Sequence, residues 1–277
     1  MTLELTEKDK IGIIAVALLL FLFSIGGWTL FGDIVFAVII PLGVIAILTV
    51  QLDSLRKINK QRRKNSERLH ETYFEQAESL FTVHSLINHE TPPLPPSRGW
   101  AASPDFLREV SSLIYTEEPR LILEIGSGLS TIISAYCIEQ LGEGRVVSLD
   151  HEAQYAANTR RQLRRHGVED RTRVIHASLR SYQLNGGTWE WYSLDEFEEN
   201  AVDLVIIDGP PAILQERSRY PAVPLLFERL SDDAVLILDD GSRQEEEEIV
   251  DQWLEEYPGL EAEFLPLEMG AYVLRNG

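Results

Sequence analysis

"LILEIGSGLSTI", residues 121–132, is the stretch on which the fold turns. A short apolar run broken only by Glu124 meets a glycine pair and passes straight into a helix-forming segment. Gly126 and Gly128 let the backbone turn sharply and approach a ligand closely, and Ser130 or Thr131 helps the next helix begin. Apolar runs of the same kind recur at 145–149 (RVVSL), 172–176 (TRVIH), 203–207 (DLVII) and 234–238 (AVLIL), separated by helix-like stretches. Short buried runs alternating with helices predict βαβ units and a parallel sheet covered on both faces. Ser103-Pro104 fits the start of a helix reaching about Glu117. Two last runs, 261–266 and 270–275, are joined by a short connection and are expected to form an antiparallel pair.

In such a sheet, ligands sit beyond the carboxyl ends of the strands, where the strand order reverses. The residues at those ends are Glu124 to Gly128, Asp150-His151, Ala177-Ser178, Asp208 to Pro211 and Asp239-Asp240. Four of these five groups carry a carboxylate, which disfavours a phosphate site. Asp150 lies some twenty residues beyond the glycines, the distance at which an acid on the second strand grips ribose hydroxyls. Together these features point to an adenosine-containing ligand. The dinucleotide pattern needs a third glycine where this chain has Thr131, and Glu124 would repel a pyrophosphate but attract a sulfonium. The chain carries a net charge of −19, and from residue 97 onward 16 arginines face 34 acidic residues. That balance argues against nucleic acid as a partner. All five lysines precede residue 65, so no lysine can act as base or nucleophile in the globular part. Cys137, the single cysteine, falls in an apolar helix and reads as a small core residue.

On these residues the chain resembles the class I S-adenosylmethionine-dependent methyltransferases, whose first motif is an acidic residue followed by G-x-G; "LEIGSGLST" and "LVIIDGPP" carry the likeness over residues 100–277. The resemblance implies a Rossmann-like doubly wound α/β sheet of seven strands with an antiparallel last strand. It implies that Glu124, Gly126, Ser127 and Gly128, with Ser130 behind them, line the methionine part of S-adenosylmethionine. Asp150 would hold the ribose, His151 would lie against adenine, and Ala177 and Ser178 would edge the ring. A looser resemblance is to the catechol and caffeoyl-coenzyme A type O-methyltransferases, which hold a divalent cation on acids after the fourth and fifth strands. Asp208, Asp239 and Asp240 stand in the matching places, an all-oxygen set suited to Mg²⁺, Mn²⁺ or Ca²⁺. The lysine those enzymes use is missing; Pro210 and Pro211 occupy its region. Without a metal, Asp208 contacts cofactor or substrate or serves as the general base, and Asp239-Asp240 caps the next helix.

Residues 11–31 form an uncharged run long enough to cross a bilayer, and a second apolar run, 34–50, follows almost at once. They are expected to form a transmembrane helical hairpin over residues 1–52. Arg56, Lys57, Lys60, Arg62, Arg63 and Lys64 follow it, which places the rest of the chain in the cytoplasm. Residues 53–96 are expected to hold a juxtamembrane helix and a Pro-rich linker (TPPLPP, 91–96). Apolar positions at Leu69, Tyr73, Ala77, Leu80 and Ile87 suit either a dimerising stalk, making a homo-oligomer, or a helix laid on the domain. The catalytic domain is then 97–277. "GGTWEWYSLDEF" (186–197) reads as an aromatic loop, either covering the site or packing on the surface. Arg217, Arg219 and Tyr220 either meet an anionic or sugar substrate or balance the acidic surface. "RQEEEEIVDQWLEEY" (243–257) reads as an acidic helix with Ile249, Val250 and Trp253 turned inward. The function expected is a membrane-anchored O-methyltransferase acting on a small-molecule, lipid-linked or glycan acceptor. The alternative is a non-catalytic membrane scaffold that senses an adenosine ligand.

Overall fold

The computed structural model describes residues 38, 40–86, 92–97 and 101–276. The first apolar run, 11–31, and the start of the second lie outside the described residues. Among the described residues no helix is long and apolar enough to cross a membrane. Residues 40–50 do not form a separate helix; they open α1, which runs unbroken from Ile40 to Ser85. The chain divides into two compact units, residues 1–70 and 71–277, so the last turns of α1 belong with the globular part.

In that second unit the helix face that packs is mostly polar, not the apolar face that a helix laid on the domain was expected to turn inward. Gln76, Ser79 and Val83 are buried, while Tyr73, Ala77 and Leu80 stay exposed. The cause lies in α2 (Pro104–Glu117), which offers polar partners. The Asp105 backbone N–H donates to Gln76 Oε1 (3.2 Å), and Arg108 Nη1 donates to Ser79 Oγ (3.0 Å).

The remaining elements alternate as expected. They are β1 (Leu121–Ile125), α3 (Leu129–Leu141), β2 (Arg145–Asp150), α4 (Ala153–His166), β3 (Thr172–His176), β4 (Leu179–Leu184), β5 (Gly187–Tyr192), β6 (Val202–Ile207), the short α5 (Ala222–Leu226), β7 (Leu230–Asp239), α6 (Gln244–Glu256), β8 (Leu260–Leu265) and β9 (Ala271–Asn276). Seven strands form one sheet in the order β3-β2-β1-β6-β7-β9-β8. The first five are parallel; β9 runs antiparallel to β7 and β8 antiparallel to β9. The strand order reverses between β1 and β6, which puts the ligand crevice at their carboxyl ends.

Alternation of side chains along each strand feeds two cores. Ile122, Val146, Leu204 and Ile237 pack on one face with α2, α3 and α4. Leu123, Ile125, Val205, Ile207 and Leu238 pack on the other with Trp191, Tyr192, Tyr220 and Trp253. On this second face a β4–β5 hairpin stands where a loop was expected. It closes through Asn185 (φ 47°) and Gly186 (φ 75°), the left-handed pair that a tight hairpin turn requires.

Candidate active site

The hydrogen-bond ladder extends one residue past the strands and aligns their ends. Gly126 N–H donates to Leu149 O (2.9 Å), Asp208 N–H to Ile125 O (3.0 Å) and Ala177 N–H to Asp150 O (2.7 Å). The turn after β1 leaves its strand with Gly126 at φ 103°. A Cβ there would lie 2.9 Å from the carbonyl oxygen of Asp208, so β1 and β6 approach as closely as a bare backbone allows.

Thr131, the residue that breaks the dinucleotide pattern, has a structural role. Its hydroxyl accepts from Gly128 N–H (2.9 Å) and donates to a carboxylate oxygen of Glu124. Glu124 is fully buried, and its Oε1 has no partner. Burial pushes its carboxyl up to about 7, against the pull of hydroxyls from Ser130, Thr131 and Ser148. On the neighbouring strand end, Asp150 is 4% exposed. It accepts from Ser127 Oγ (2.5 Å) and from Glu152 N–H (2.9 Å). Ser127, Gly128, Thr131, Glu124 and Asp150 thus form one connected wall.

His151 packs edge-on against Tyr192, ring centroids 5.7 Å apart. Ala177 is buried in the core, so only its backbone edges the crevice; Ser178 is exposed, its Oγ 3.4 Å from His176 Nε2. Tyr192, read in the sequence only as part of an aromatic loop, is 1% exposed, and its hydroxyl lies against Gly209. Burial holds that phenol well above its ordinary value, with the charges of Asp150 and Asp208 adding to the effect, so it stays a neutral hydrogen-bond donor. The signal that would have found it is the Asn185-Gly186 turn between two alternating runs.

At the ends of β6 and β7 the structure brings Asp208, Asp239 and Asp240 together, each with one carboxylate oxygen within 4.8 Å of the others. They line a cavity of about 240 Å³ with Ala101, Ser103, Pro211 and Met269. Asp240 turns the chain at φ 61°, a left-handed conformation that aspartate tolerates.

Arg219 enters this cluster from the loop after β6. Its Nη2 donates to Asp240 Oδ2 (2.7 Å) and Asp208 Oδ1 (3.3 Å), and its Nη1 to the Asp239 carbonyl (2.7 Å). Its side chain is 4% exposed, so it belongs to the interior and not to the surface charge balance. Arg243 Nη1 reaches Asp240 Oδ2 at 2.9 Å. Glu246, on the inward side of α6, lies 3.8 Å from Arg219 and 3.7 Å from Arg243. Desolvation pushes Asp208 up to about 7, with Arg219 pulling it down and Asp240 raising it. Asp239 is pushed up to about 8 by burial and by the neighbouring aspartates. Burial alone would lower Arg219, but Asp208, Asp240 and Glu246 outweigh it and hold the guanidinium above its ordinary value. Arg217 and Tyr220 stand apart. Arg217 caps the ring of Trp189 at 5.7 Å, and the Tyr220 hydroxyl is tied to Glu256 and Asn185.

Residues 123–241 match a family model described as a methyltransferase domain. No curated protein matches the sequence. Among solved structures, a methyltransferase of Podospora anserina bound to S-adenosylhomocysteine is 17% identical, with a TM-score of 0.52, covering 73% of this chain and 87% of its own. An O-methyltransferase of Bacillus cereus in complex with S-adenosylhomocysteine is 18% identical (TM-score 0.47; 73% and 90% covered). An O-methyltransferase of Streptomyces achromogenes involved in tomaymycin synthesis, in complex with S-adenosylmethionine, is 16% identical (TM-score 0.47; 73% and 88% covered). The resemblance to class I methyltransferases read from the motifs therefore holds in the family match and in the fold.

Proposed function

We propose that this chain, whose residues 123–241 match a methyltransferase-domain family model, transfers a methyl group from S-adenosylmethionine to an oxygen of an acceptor held at the ends of β6 and β7. The observation that carries the reading is the crevice at the switch point. A glycine turn with no room for a Cβ faces the peptide of Asp208, and a buried acid, Asp150, stands one strand away. The residues suit the cofactor. Asp150 and Ser127 are placed to hold ribose hydroxyls, and the Gly126–Gly128 backbone lets an extended ligand lie close. His151 and Tyr192 supply aromatic edges. The orphaned Glu124 Oε1 leaves an unpaired buried oxygen beneath the turn.

S-adenosylmethionine supplies a methyl group already labile on a sulfonium. The protein's work is then positioning and proton removal. Asp208, 21% exposed at the cavity wall, is the residue placed to accept the acceptor's hydroxyl proton as the new C–O bond forms and S-adenosylhomocysteine departs. The elevated Asp208 carboxyl suits a base working near neutral pH. Asp208, Asp239 and Asp240 offer the all-oxygen donor set that Mg²⁺ or Mn²⁺ prefers, but Arg219 already holds Asp208 and Asp240.

The chain is attached to a membrane through residues 11–31, whose length without charge suits a span. Exposed Leu42, Ile45, Leu48, Leu52 and Leu55 on α1 support lipid contact, and the basic residues 56–64 support a cytoplasmic domain. The acceptor class that fits is a hydroxylated small molecule, lipid-linked intermediate or glycan. The test is calorimetric titration of the full-length chain with S-adenosylhomocysteine. Binding in the micromolar range is expected; a folded chain that does not bind would overturn the reading.

A further inference from the structure

We propose that Arg219 is a built-in cation of the acceptor cavity, holding with its guanidinium the place between Asp208 and Asp240 that a divalent ion would otherwise take, so that the site works without a metal. The inference rests on the methyltransferase reading for its meaning but not for its test. A divalent cation on these acids needs their oxygens at roughly 2.0–2.6 Å, about six of them in all. Two of the nearest, Asp240 Oδ2 and Asp208 Oδ1, already receive the same Arg219 nitrogen at 2.7 and 3.3 Å. Asp240 Oδ2 also receives Arg243 at 2.9 Å. An ion seated there would face two guanidiniums, and that of Arg219 is buried where little water screens it.

Arg219 is also not free to step aside. Its other terminal nitrogen is bound to the Asp239 carbonyl at 2.7 Å, and its side chain is 4% exposed. The loop that carries it is pinned on both sides. Ser218 Oγ donates to Pro210 O (2.8 Å), Arg217 N–H donates to Glu245 Oε2 of α6 (2.9 Å), and Ala222 N–H donates to Arg219 O (3.1 Å). Expelling Arg219 would leave a buried cation without its partners, or would cost the loop these bonds. A planar fork is suited to bridging two carboxylates in this way, where a point charge is not. Arg219 is thus a positioning residue. It fixes Asp208 by one oxygen and leaves the other to the acceptor.

The test measures Mn²⁺ alone, by the loss of the free-ion paramagnetic signal, on the full-length chain at about pH 9, where carboxylates are open to a cation. The wild type and Arg219→Lys are expected to take up no Mn²⁺ at the cavity below about 1 mM, the weak end of carboxylate sites. Arg219→Met, which keeps all three aspartates and removes the cation, is expected to bind Mn²⁺ on the order of a hundredfold more tightly. Micromolar uptake by the wild type that disappears in Asp240→Asn would overturn the proposal. So would a folded Arg219→Met with no gain. If Arg219→Met does not fold, the wild type and Asp240→Asn decide alone; uptake equal in both reports surface acids and supports the proposal. S-adenosylhomocysteine titrated into the same samples tests the cofactor reading separately.

Discussion

Replacing either glycine of the turn by alanine separates what the backbone needs from what a ligand needs. Gly126 sits at φ 103°, outside the range L-residues favour, which costs about 1–3 kcal/mol for alanine. Its new Cβ would also lie 2.9 Å from the Asp208 carbonyl oxygen and 3.3 Å from the carbon, both backbone atoms. Relief means moving β1 from β6, and Gly126 is held in place by its 2.9 Å bond to Leu149 O, whose loss costs about another 1 kcal/mol. Gly126→Ala should therefore destabilise the chain by roughly 2–4 kcal/mol, a fall in Tm of about 5–15 °C for a unit of this size. Gly128 differs: its φ of 176° is ordinary extended backbone, and nothing stands within 4 Å of an added Cβ. Gly128→Ala should melt within about 2 °C of the wild type. The open space at Gly128 is where the methionine part of the cofactor is expected to lie, so the same variant should weaken S-adenosylhomocysteine by tenfold or more, about 1.4 kcal/mol. Melting curves and calorimetry on both variants read the two effects. Unchanged melting for Gly126→Ala would refute the close-approach argument, and unchanged affinity for Gly128→Ala would remove the ligand from the turn.

Asp150→Ala should weaken S-adenosylhomocysteine on the order of a hundredfold, the loss of two charged hydrogen bonds, whereas Asp240→Ala should change it less than about threefold; equal effects in calorimetry would contradict the division into cofactor and acceptor halves. Glu124 gives stability a pH dependence of definite sign. Its carboxyl rises from an ordinary 4.5 to about 7 on folding, so the folded state keeps a proton that the unfolded chain releases. The contribution is full below about pH 4.5 and declines by about 3 kcal/mol as pH rises through about 7. Urea midpoints should fall over that window, and Glu124→Gln should flatten the decline; a wild-type midpoint that rises would be incompatible with the assignment.

Parallel buried strands were legible because each reads as a nearly unbroken apolar run. β1 and β6 differ from the expected spans by at most one residue. β7 was expected from Ala234 but starts at Leu230, since Ser231, Asp232 and Asp233 hide its exposed beginning. The β4–β5 hairpin was missed because its burial does not follow a simple two-residue alternation. Trp191 and Tyr192 sink into the core, whereas Arg180, across the ladder from Trp191, and the Ser181–Glu190 pair beside it stay outside, and that mixture resembles a decorated loop. The packed side of α1 was not legible for the opposite reason: polar groups on α2 select Gln76 and Ser79, a preference that apolar periodicity cannot register.

In the site, residues that follow a strand directly were readable because the ladder fixes where they stand. Glu124, Asp150, Asp208 and Asp239 all fall at the sheet's carboxyl edge on counting alone. Arg219 was not readable in this way. It lies 11 positions past Asp208 on a loop, and its meaning depends on burial, which a sequence with 16 arginines facing 34 acids hides behind a plain charge balance. Yet the same composition explains why an arginine was available for the task. With no lysine in the globular part, every permanent cation there is a guanidinium, and a guanidinium is the one side chain able to clamp two carboxylates at once while remaining charged when buried. The three aspartates and Arg219 therefore form one electrostatic unit, and reading the acids without the arginine credits them with more vacant charge than the folded chain leaves.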